Sequence, residues 1–500
     1  MSPHTARLRA RLAEIDEQFI LLQKERTTIQ NALAALTYPV LTLPAEITSE
    51  IFAQCIVREG GPRHPSPAEA PLLFTHVCRT WRDIAVHDSK LWTDFRIRFC
   101  PGQCRGHPYV QTYLERAGTR PLVMDIAYEE SETTTESLPL PILLQDIIRR
   151  SSQWREVTLR LHPSTLEENF QSEMDFSALE TLTILTGDKD RRLSSPVGAF
   201  AAALKLRVVK LQIRYMSPHM FTLPWSQLTQ LHVKNSVLKE AFEILRLAPA
   251  LVRCIFMSIL TNIHGSPGLF SLPPHLQLKS LTVGDPGGCP LLDFLTLPNL
   301  EKLQVSPIHV NSQLSSLLSF LTRSPEVSQF VQSPGYCALE PDDMVALFMA
   351  MPKLAELRFR VQSPTHVDTI LRNLRDSPSF LPCIQTITLQ IPYDRDDGYN
   401  LEAIQANVLS QALSARWSSA SDTATLWDFS LVWVEEDISL LSVEEEYGDI
   451  LEDELEVALE ELQIGIEKLL LDEQLLKLKS EGMVIHIGTQ KEEYEDDEEY

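Results

Sequence analysis

Five hundred residues allow two to four domains or one long array. The 44% apolar and 22% charged fractions are those of a globular chain, and no run of 18 apolar residues offers a bilayer-spanning helix. Net charge is −24, of which −20 falls between Glu435 and Tyr500 and −4 on the remainder, a balance that speaks against general affinity for nucleic acid or anionic membrane. In chain order, Leu8, Leu12, Ile15, Phe19, Leu22, Arg26, Ile29, Leu33 and Leu36 alternate spacings of four and three, a heptad seam over residues 1–36 broken at Arg26. The seam predicts a coiled-coil helix, which either pairs with a second copy in a homodimer or folds back on its own chain. This N-terminal stretch is charged and has no uninterrupted apolar core, so no secretory signal is expected.

Residues 38–95 carry two apolar stripes. Leu43-Pro44 opens the first, since proline's fixed φ and missing N–H suit a first helical turn. Ile47, Ile51 and Cys55 follow at i, i+4 and i+8, with Phe52 beside them. After a Gly- and Pro-rich loop at Arg58–Ala70, the second stripe runs Leu73, Val77, Trp81, Ile84 and Ala85, and Leu91-Trp92 closes the unit. So small a unit cannot bury all of these side chains alone, which suggests a docking module. In L-P-x-E-I (Leu43, Pro44, Glu46, Ile47), E-I-F (Glu50, Ile51, Phe52), V-C-R-x-W (Val77, Cys78, Arg79, Trp81) and L-W (Leu91, Trp92), the stretch resembles the F-box, with a longer loop between its halves. The resemblance implies docking on a Skp-type adaptor, and so on a cullin-RING ubiquitin ligase, through Leu43, Pro44, Ile47, Ile51, Phe52, Val77, Trp81, Leu91 and Trp92. Periodicity alone fits an ordinary helical hairpin with a buried tryptophan just as well.

Residues 96–153 read as a linking segment with a helix, a strand at Pro121–Ala127 and a helix at Ile142–Arg150. Cys100, Cys104 and His107 lie close together, but no fourth ligand is evident and the cysteine spacing is wide for zinc, so a turn with free thiols is expected. The eight cysteines are scattered and mostly lie on apolar stripes, as suits a reducing, cytoplasmic or nuclear compartment.

Over residues 154–434 a unit apolar-x-x-apolar-x-apolar recurs, a short strand with alternate residues facing inward. It appears at Trp154-Val157-Leu159, Leu179-Leu182-Ile184, Val208-Leu211-Ile213, Leu228-Leu231-Val233, Leu251-Cys254-Phe256, Leu278-Leu281-Val283, Leu300-Leu303-Val305, Val327-Phe330-Gln332, Leu354-Leu357-Phe359 and Ile384-Ile387-Leu389. The middle positions are 20 to 30 residues apart, the period of leucine-rich repeats. The half is similar to the irregular leucine-rich repeats of fungal F-box proteins, although Ser236 and Ile308 stand where regular repeats carry a ladder asparagine. The fold class expected is α/β: a small helical F-box followed by a solenoid with a parallel sheet inside and helices outside. A last strand is expected at Leu426–Val434. Residues 435–488 read as an acidic helical cap with an edge strand near Gly482–His486, and 489–500 as a disordered acidic tail.

No P-loop, H-E-x-x-H or G-x-S-x-G is present, and the histidines do not cluster with cysteine, so no cofactor, metal or catalytic residue is expected. Residues flanking the middle apolar position point away from the core, onto the concave face. There Lys210, Arg214, Lys234, Arg253, Lys302, Arg358 and Arg360, with Gln212, His232 and Gln304, outweigh the acids. These positions make either solvated strand faces of accidental sign or a cradle for an acidic or phosphorylated protein segment. If the acidic C-terminal region folds back on that cradle and screens it, deleting Glu435–Tyr500 is expected to raise affinity for acidic peptides, and unchanged affinity with an intact fold would refute the idea. The function expected is substrate recognition in a ubiquitin ligase, non-catalytic in itself. The alternative is a scaffold that assembles through the repeat surface and the coiled coil.

Overall fold

The computed structural model describes residues 3–34, 43–56, 64–99, 108–128, 142–171, 174–187, 192–260, 272–284, 289–306, 308, 311–333, 339–393, 404–417, 425–435 and 462–490. The Cys100, Cys104 and His107 group and the acidic stretches 436–461 and 491–500 lie outside these residues. The chain divides into two units, Met1–Arg96 with His107–Arg120, and Ile97–Gly106 with Pro121–Tyr500.

The first unit holds α1 (Pro3–Ala34), α2 (Ala45–Cys55), α3 (Phe74–Val77), α4 (Arg79–His87), a 3-10 turn at Ser89–Trp92 and α5 (Pro108–Ala117). Extended Pro44 precedes α2, as its fixed φ dictates. Cys78 caps α4, its Sγ accepting the Trp81 backbone N–H at 3.4 Å. Asp88 ends α4 and starts the next turn, accepting from the Lys90 N–H at 3.0 Å and from the Ser49 hydroxyl of α2. The core is aromatic: Phe52 stacks on Phe74 with centroids 4.1 Å apart, and Trp81 meets Phe52 edge-on at 5.0 Å. Trp92 is sealed in, its indole donating to Ala85 O at 2.7 Å, with the Arg116 guanidinium 4.2 Å from its ring centre.

The second unit is built on one sheet of fourteen strands in chain order. They are β1 (Asp94–Phe99, Ile97 onward lying in this unit), β2 (Leu122–Tyr128), β3 (Trp154–Arg160), β4 (Thr181–Leu185), β5 (Val208–Met216), β6 (Gln230–Ser236) and β7 (Arg253–Met257). The rest are β8 (Ser280–Val283), β9 (Lys302–Val305), β10 (Gln329–Gln332), β11 (Glu356–Arg360), β12 (Thr386–Tyr393), β13 (Asp428–Glu435) and β14 (Val484–Gln490). Pairing from β2 to β14 is parallel throughout. The returns carry α6 (Ile142–Arg149), α7 (Pro163–Asn169), α8 (Leu238–Leu247), α9 (Cys289–Leu292), α10 (Asn311–Thr322), α11 (Pro341–Met349), α12 (Pro364–Asp376), α13 (Ala406–Trp417), α14 (462–470) and α15 (Glu473–Ser480). This is a solenoid-like α/β fold. Sequential parallel strands each need a crossover, and the helices supply it while covering the apolar side. The Phe348 ring of α11, for instance, meets Phe359 of β11 edge-on at 5.1 Å.

One buried row runs across the sheet: Val157, Leu182, Val209, Leu231, Cys254, Leu281, Leu303, Phe330, Leu357, Ile387, Phe429 and Ile485. It corrects the third repeat, whose core triad is Leu206-Val209-Leu211 rather than Val208-Leu211-Ile213. β5 alternates from Val208 to Ile213, ahead of the buried Met216 beyond its register shift, and so satisfies the pattern twice. A slip of two keeps every side chain on its face, so the outward residues are unchanged. The sheet also starts earlier than Trp154: β1 runs into the stretch read as a linker, and β2, the strand expected at Pro121–Ala127, joins the array; β14 overlaps the edge strand expected near Gly482–His486. The unit Val327-Phe330-Gln332, which ends on a polar residue, is continuous with the array, since β10 pairs on both sides.

The missing asparagine ladder has two replacements. At the entries of β5 to β13 two successive N–H groups share the carbonyl of the preceding entry. Val252 and Arg253 donate to Thr229 O at 2.8 and 3.0 Å, Lys279 and Ser280 to Val252 O, Glu301 and Lys302 to Lys279 O, and Ala355 and Glu356 to Ser328 O. Long side chains close the remaining carbonyls. Gln227 reaches Ala203 O and Leu206 O, Asn299 reaches Leu276 O, and Arg323 reaches Leu292 O and Leu295 O. Buried Arg416 donates to Leu374 O, Ser377 O and Phe380 O at 2.9, 2.8 and 2.5 Å. These donors, Asn299 among them, stand in for a regular ladder at the carbonyls named.

Candidate functional site

The helical unit separates its apolar residues into two sets. Phe52, Thr48, Phe74, Leu91 and Trp92 are buried, with Phe52 only 1% and Trp92 0% exposed. Leu43, Ile47, Ile51, Leu73 and Val77 are open, with Ile47 51%, Ile51 43% and Val77 55% exposed. The split follows from helix geometry: Ile47 and Ile51 are four apart on the outer side of α2, while Thr48 and Phe52 occupy the inner side. Three of the residues expected at a docking face are therefore corrected: Phe52, Leu91 and Trp92 hold the unit together and cannot reach a partner. Trp81 is half-buried against the Phe52 and Phe74 rings, and its indole N–H has no acceptor. Leu73 belongs on the open face although its place in the second stripe did not single it out.

On α1 the seam residues Leu12, Ile15, Phe19, Leu22 and Ile29 are all exposed, as are Ile20 and Leu21 outside the seam. Among the described residues no helix is long and apolar enough to cross a membrane.

The strand register arranges the solvent side of the second unit. Lys210, His232 and Ile255 are direct neighbours across β5, β6 and β7, and Gln212 and Lys234 are neighbours two residues further on. Arg253 precedes Ile255 by two on β7 and pairs with Gln230. His232 is partly buried, its Nε2 enclosed and without a hydrogen-bond partner. Burial, then Lys210, Lys234 and Arg253, push its pKa down from 6.5 to about 4. All three named charges have one sign, so positive potential is concentrated on these three strands. Arg214 is exposed past the register shift near the end of β5.

Elsewhere the expected basic face thins out. Arg160 of β3 ion-pairs at 3.2 Å with buried Asp125 of β2, a strand that the repeat pattern did not include. Arg360, expected on the binding face, is buried at the end of β11 beside Gln390 of β12, so it cannot meet a ligand. Arg358 is exposed, Lys302 half-buried, and Gln304 donates to the Ser333 hydroxyl at 3.3 Å. The expected residues thus come together at β5–β7 and remain dispersed over β9–β11. Among the described residues no three His, Cys, Asp or Glu side chains form a cluster that could hold a metal.

No family model matches this chain, and no curated protein matches it. Among solved structures, it is similar to a Bacteroides fragilis protein determined as a structural-genomics target. The identity is 13% over 61% of this chain and 72% of that one, with a TM-score of 0.29, a likeness that assigns no function.

Proposed function

We propose that the chain is a non-catalytic substrate receptor of a cullin-RING ubiquitin ligase: an F-box docking on a Skp-type adaptor, followed by leucine-rich repeats that hold a protein substrate. The observation that carries this reading is the open apolar set Leu43, Ile47, Ile51, Leu73 and Val77 around a closed aromatic core, within the residues that bear the F-box motif. Side chains of this kind left in water are stabilised when a second polypeptide covers them. A receptor of this class needs no active site, because it works by proximity. The repeat sheet offers a long polar surface for the substrate.

Co-expression with a fungal Skp-type adaptor tests the reading. The wild type is expected to elute as a stable complex, and the double variant Ile47→Asp, Ile51→Asp to elute alone with an unchanged melting temperature. A wild type that never captures adaptor would refute the ligase role and leave the scaffold reading. The exposed α1 seam supports that second reading, assembly of two copies through a coiled coil. Light scattering on the full chain checks it: a dimer that Leu22→Asp turns into monomer supports pairing, and a wild-type monomer excludes it.

A further inference from the structure

The first unit contains a cavity of about 340 Å³ between the end of α2, the turn before α3, Asp94 and α5, and all its lining residues belong to that unit. Pockets for whole small molecules run from about 300 to 1,000 Å³, so this one has room for a single side chain or a ligand of that size. Its lining is apolar at Leu73 and Phe74 and polar at Glu69, Asp94 and Tyr113, with His64 the one base. Tyr113 is the fixed point. Its ring meets Trp92 and Phe95 edge-on at 5.1 and 5.8 Å, and the residue is only 3% exposed. The hydroxyl has no hydrogen-bond partner among the described residues, yet it is not sealed in: it opens on the cavity. Burial, then Asp94 and Glu69, raise its pKa, with Arg116 opposing them, so the phenol stays protonated. A hydroxyl so deeply buried and left unpaired is unfavourable, and the two carboxylates make the potential before it negative. Glu69 is held in place by its own turn. Its backbone N–H donates to Ser66 O at 3.1 Å, and its carbonyl accepts from the Leu73 N–H at 2.8 Å. No ion pair or side-chain hydrogen bond of Glu69 occurs among the described residues.

We propose that this cavity receives an arginine side chain from the protein that covers the open apolar set of the same unit. Leu73 lines the cavity and belongs to that set, so one partner can engage both. The aliphatic stem of an arginine suits the Leu73 and Phe74 side, as long charged side chains bury their stems and keep their heads among polar groups. Its guanidinium carries five donors in a fixed fork, enough to serve the Glu69 carboxylate and the Tyr113 oxygen together, and Asp94 adds a second negative charge. A lysine fits less well, because its compact ammonium is strongly hydrated and has no planar fork. A neutral group would leave Glu69 without a counter-charge, and an anion would be repelled by both carboxylates. The inference rests on the receptor reading only in taking the covering protein to be the adaptor; the cavity itself is tested without adaptor.

The test titrates the full chain, carrying carbon-13 tyrosine, with the amides of Nα-acetyl-arginine, Nα-acetyl-lysine and Nα-acetyl-citrulline, the last matching arginine in shape without its charge. The ring resonance of Tyr113, assigned by its loss in Tyr113→Phe, is expected to shift with the arginine amide at a dissociation constant on the order of 1 mM, as suits so small a ligand. The lysine amide is expected to bind more weakly and the citrulline amide not to move the resonance. Glu69→Gln is expected to weaken the arginine titration about tenfold, the scale of charge-assisted hydrogen bonds. Asp83→Asn, an equal charge change at an exposed position of α4, is expected to leave it as it was. An unmoved Tyr113, an equal shift by the citrulline amide, or equal weakening by both variants overturns the cation site and leaves water as the partner of the phenol. Tighter binding of the lysine amide overturns the choice of arginine. In co-expression with the adaptor, Glu69→Lys is expected to lower capture about tenfold and Asp83→Lys to leave it unchanged. Full capture by Glu69→Lys, or equal loss in both, overturns the adaptor as the source of the arginine. A wild type that captures no adaptor while the arginine amide still shifts Tyr113 refutes the receptor reading and supports the cavity as a cation site.

Discussion

Arg416 shows how one side chain can substitute for a motif. Its guanidinium spans the end of α12 and the loop beyond, satisfying three buried carbonyls, and burial pulls its pKa below the ordinary arginine value. Arg416→Met keeps most of the volume and removes the donors, so it should cost about 2–4 kcal/mol in urea unfolding. A loss below 0.5 kcal/mol would mean that water replaces the guanidinium. His232 makes a pH-dependent contribution whose sign is fixed. Unfolded, it takes its proton near pH 6.5; folded, only near pH 4. Between those values the unfolded chain binds more protons, so stability is full above pH 6.5 and falls as pH drops toward 4, by at most about 3 kcal/mol. The urea midpoint of the wild type should fall between pH 7 and pH 5 by more than that of His232→Gln. Parallel falls would show that other groups dominate.

Among the elements, α2 has two sides with separable tasks. Phe52→Ala opens the three-ring core and should cost about 3–5 kcal/mol, read as a lower melting temperature. Ile47→Asp on the outer side should leave melting within about 0.5 kcal/mol of wild type, since it touches no core feature. If both variants melt like the wild type, the core described for this unit is wrong. The same two-sidedness explains what the sequence made legible. A stripe at i, i+4 finds the helix and its apolar residues but does not say which edge faces inward, so pattern alone groups Phe52 and Trp92 with Ile47. Strand alternation is equally faithful and equally blind to register, so β5 was found and its core triad shifted by two. β1 was hidden because Asp94–Phe99 directly follows a helical unit, and β2, though read as a strand, was not joined to the array. Its Asp125 therefore stood outside the basic face although it holds Arg160. The basic group at β5–β7 depends on which residues are abreast, and that follows from pairing rather than composition.

At the scale of the whole molecule, the acidic C-terminal region is not a separable appendage. β14 pairs along its length with β13, and Leu462, Ile466, Leu469, Leu475, Leu478, Met483, Ile485 and Ile487 are buried. Deleting Glu435–Tyr500 therefore removes an edge strand and its cover, and a gain in peptide affinity in that variant would not isolate the effect of charge. Truncation after Gln490 removes ten residues of net charge −6, lies beyond β14, and should leave melting unchanged while reporting on electrostatic screening of the sheet. Truncation after Val434 should act very differently. In a linear array each unit touches its neighbours only, so damage should spread from the exposed end and fade. Hydrogen exchange is expected to lose protection strongly in β13, partly in β12, and hardly at all from β3 to β7, and the bared β13 edge should promote association between copies. Uniform loss of protection across all strands would mean that the sheet unfolds as one cooperative body, and the nearest-neighbour account of its stability would have to be abandoned.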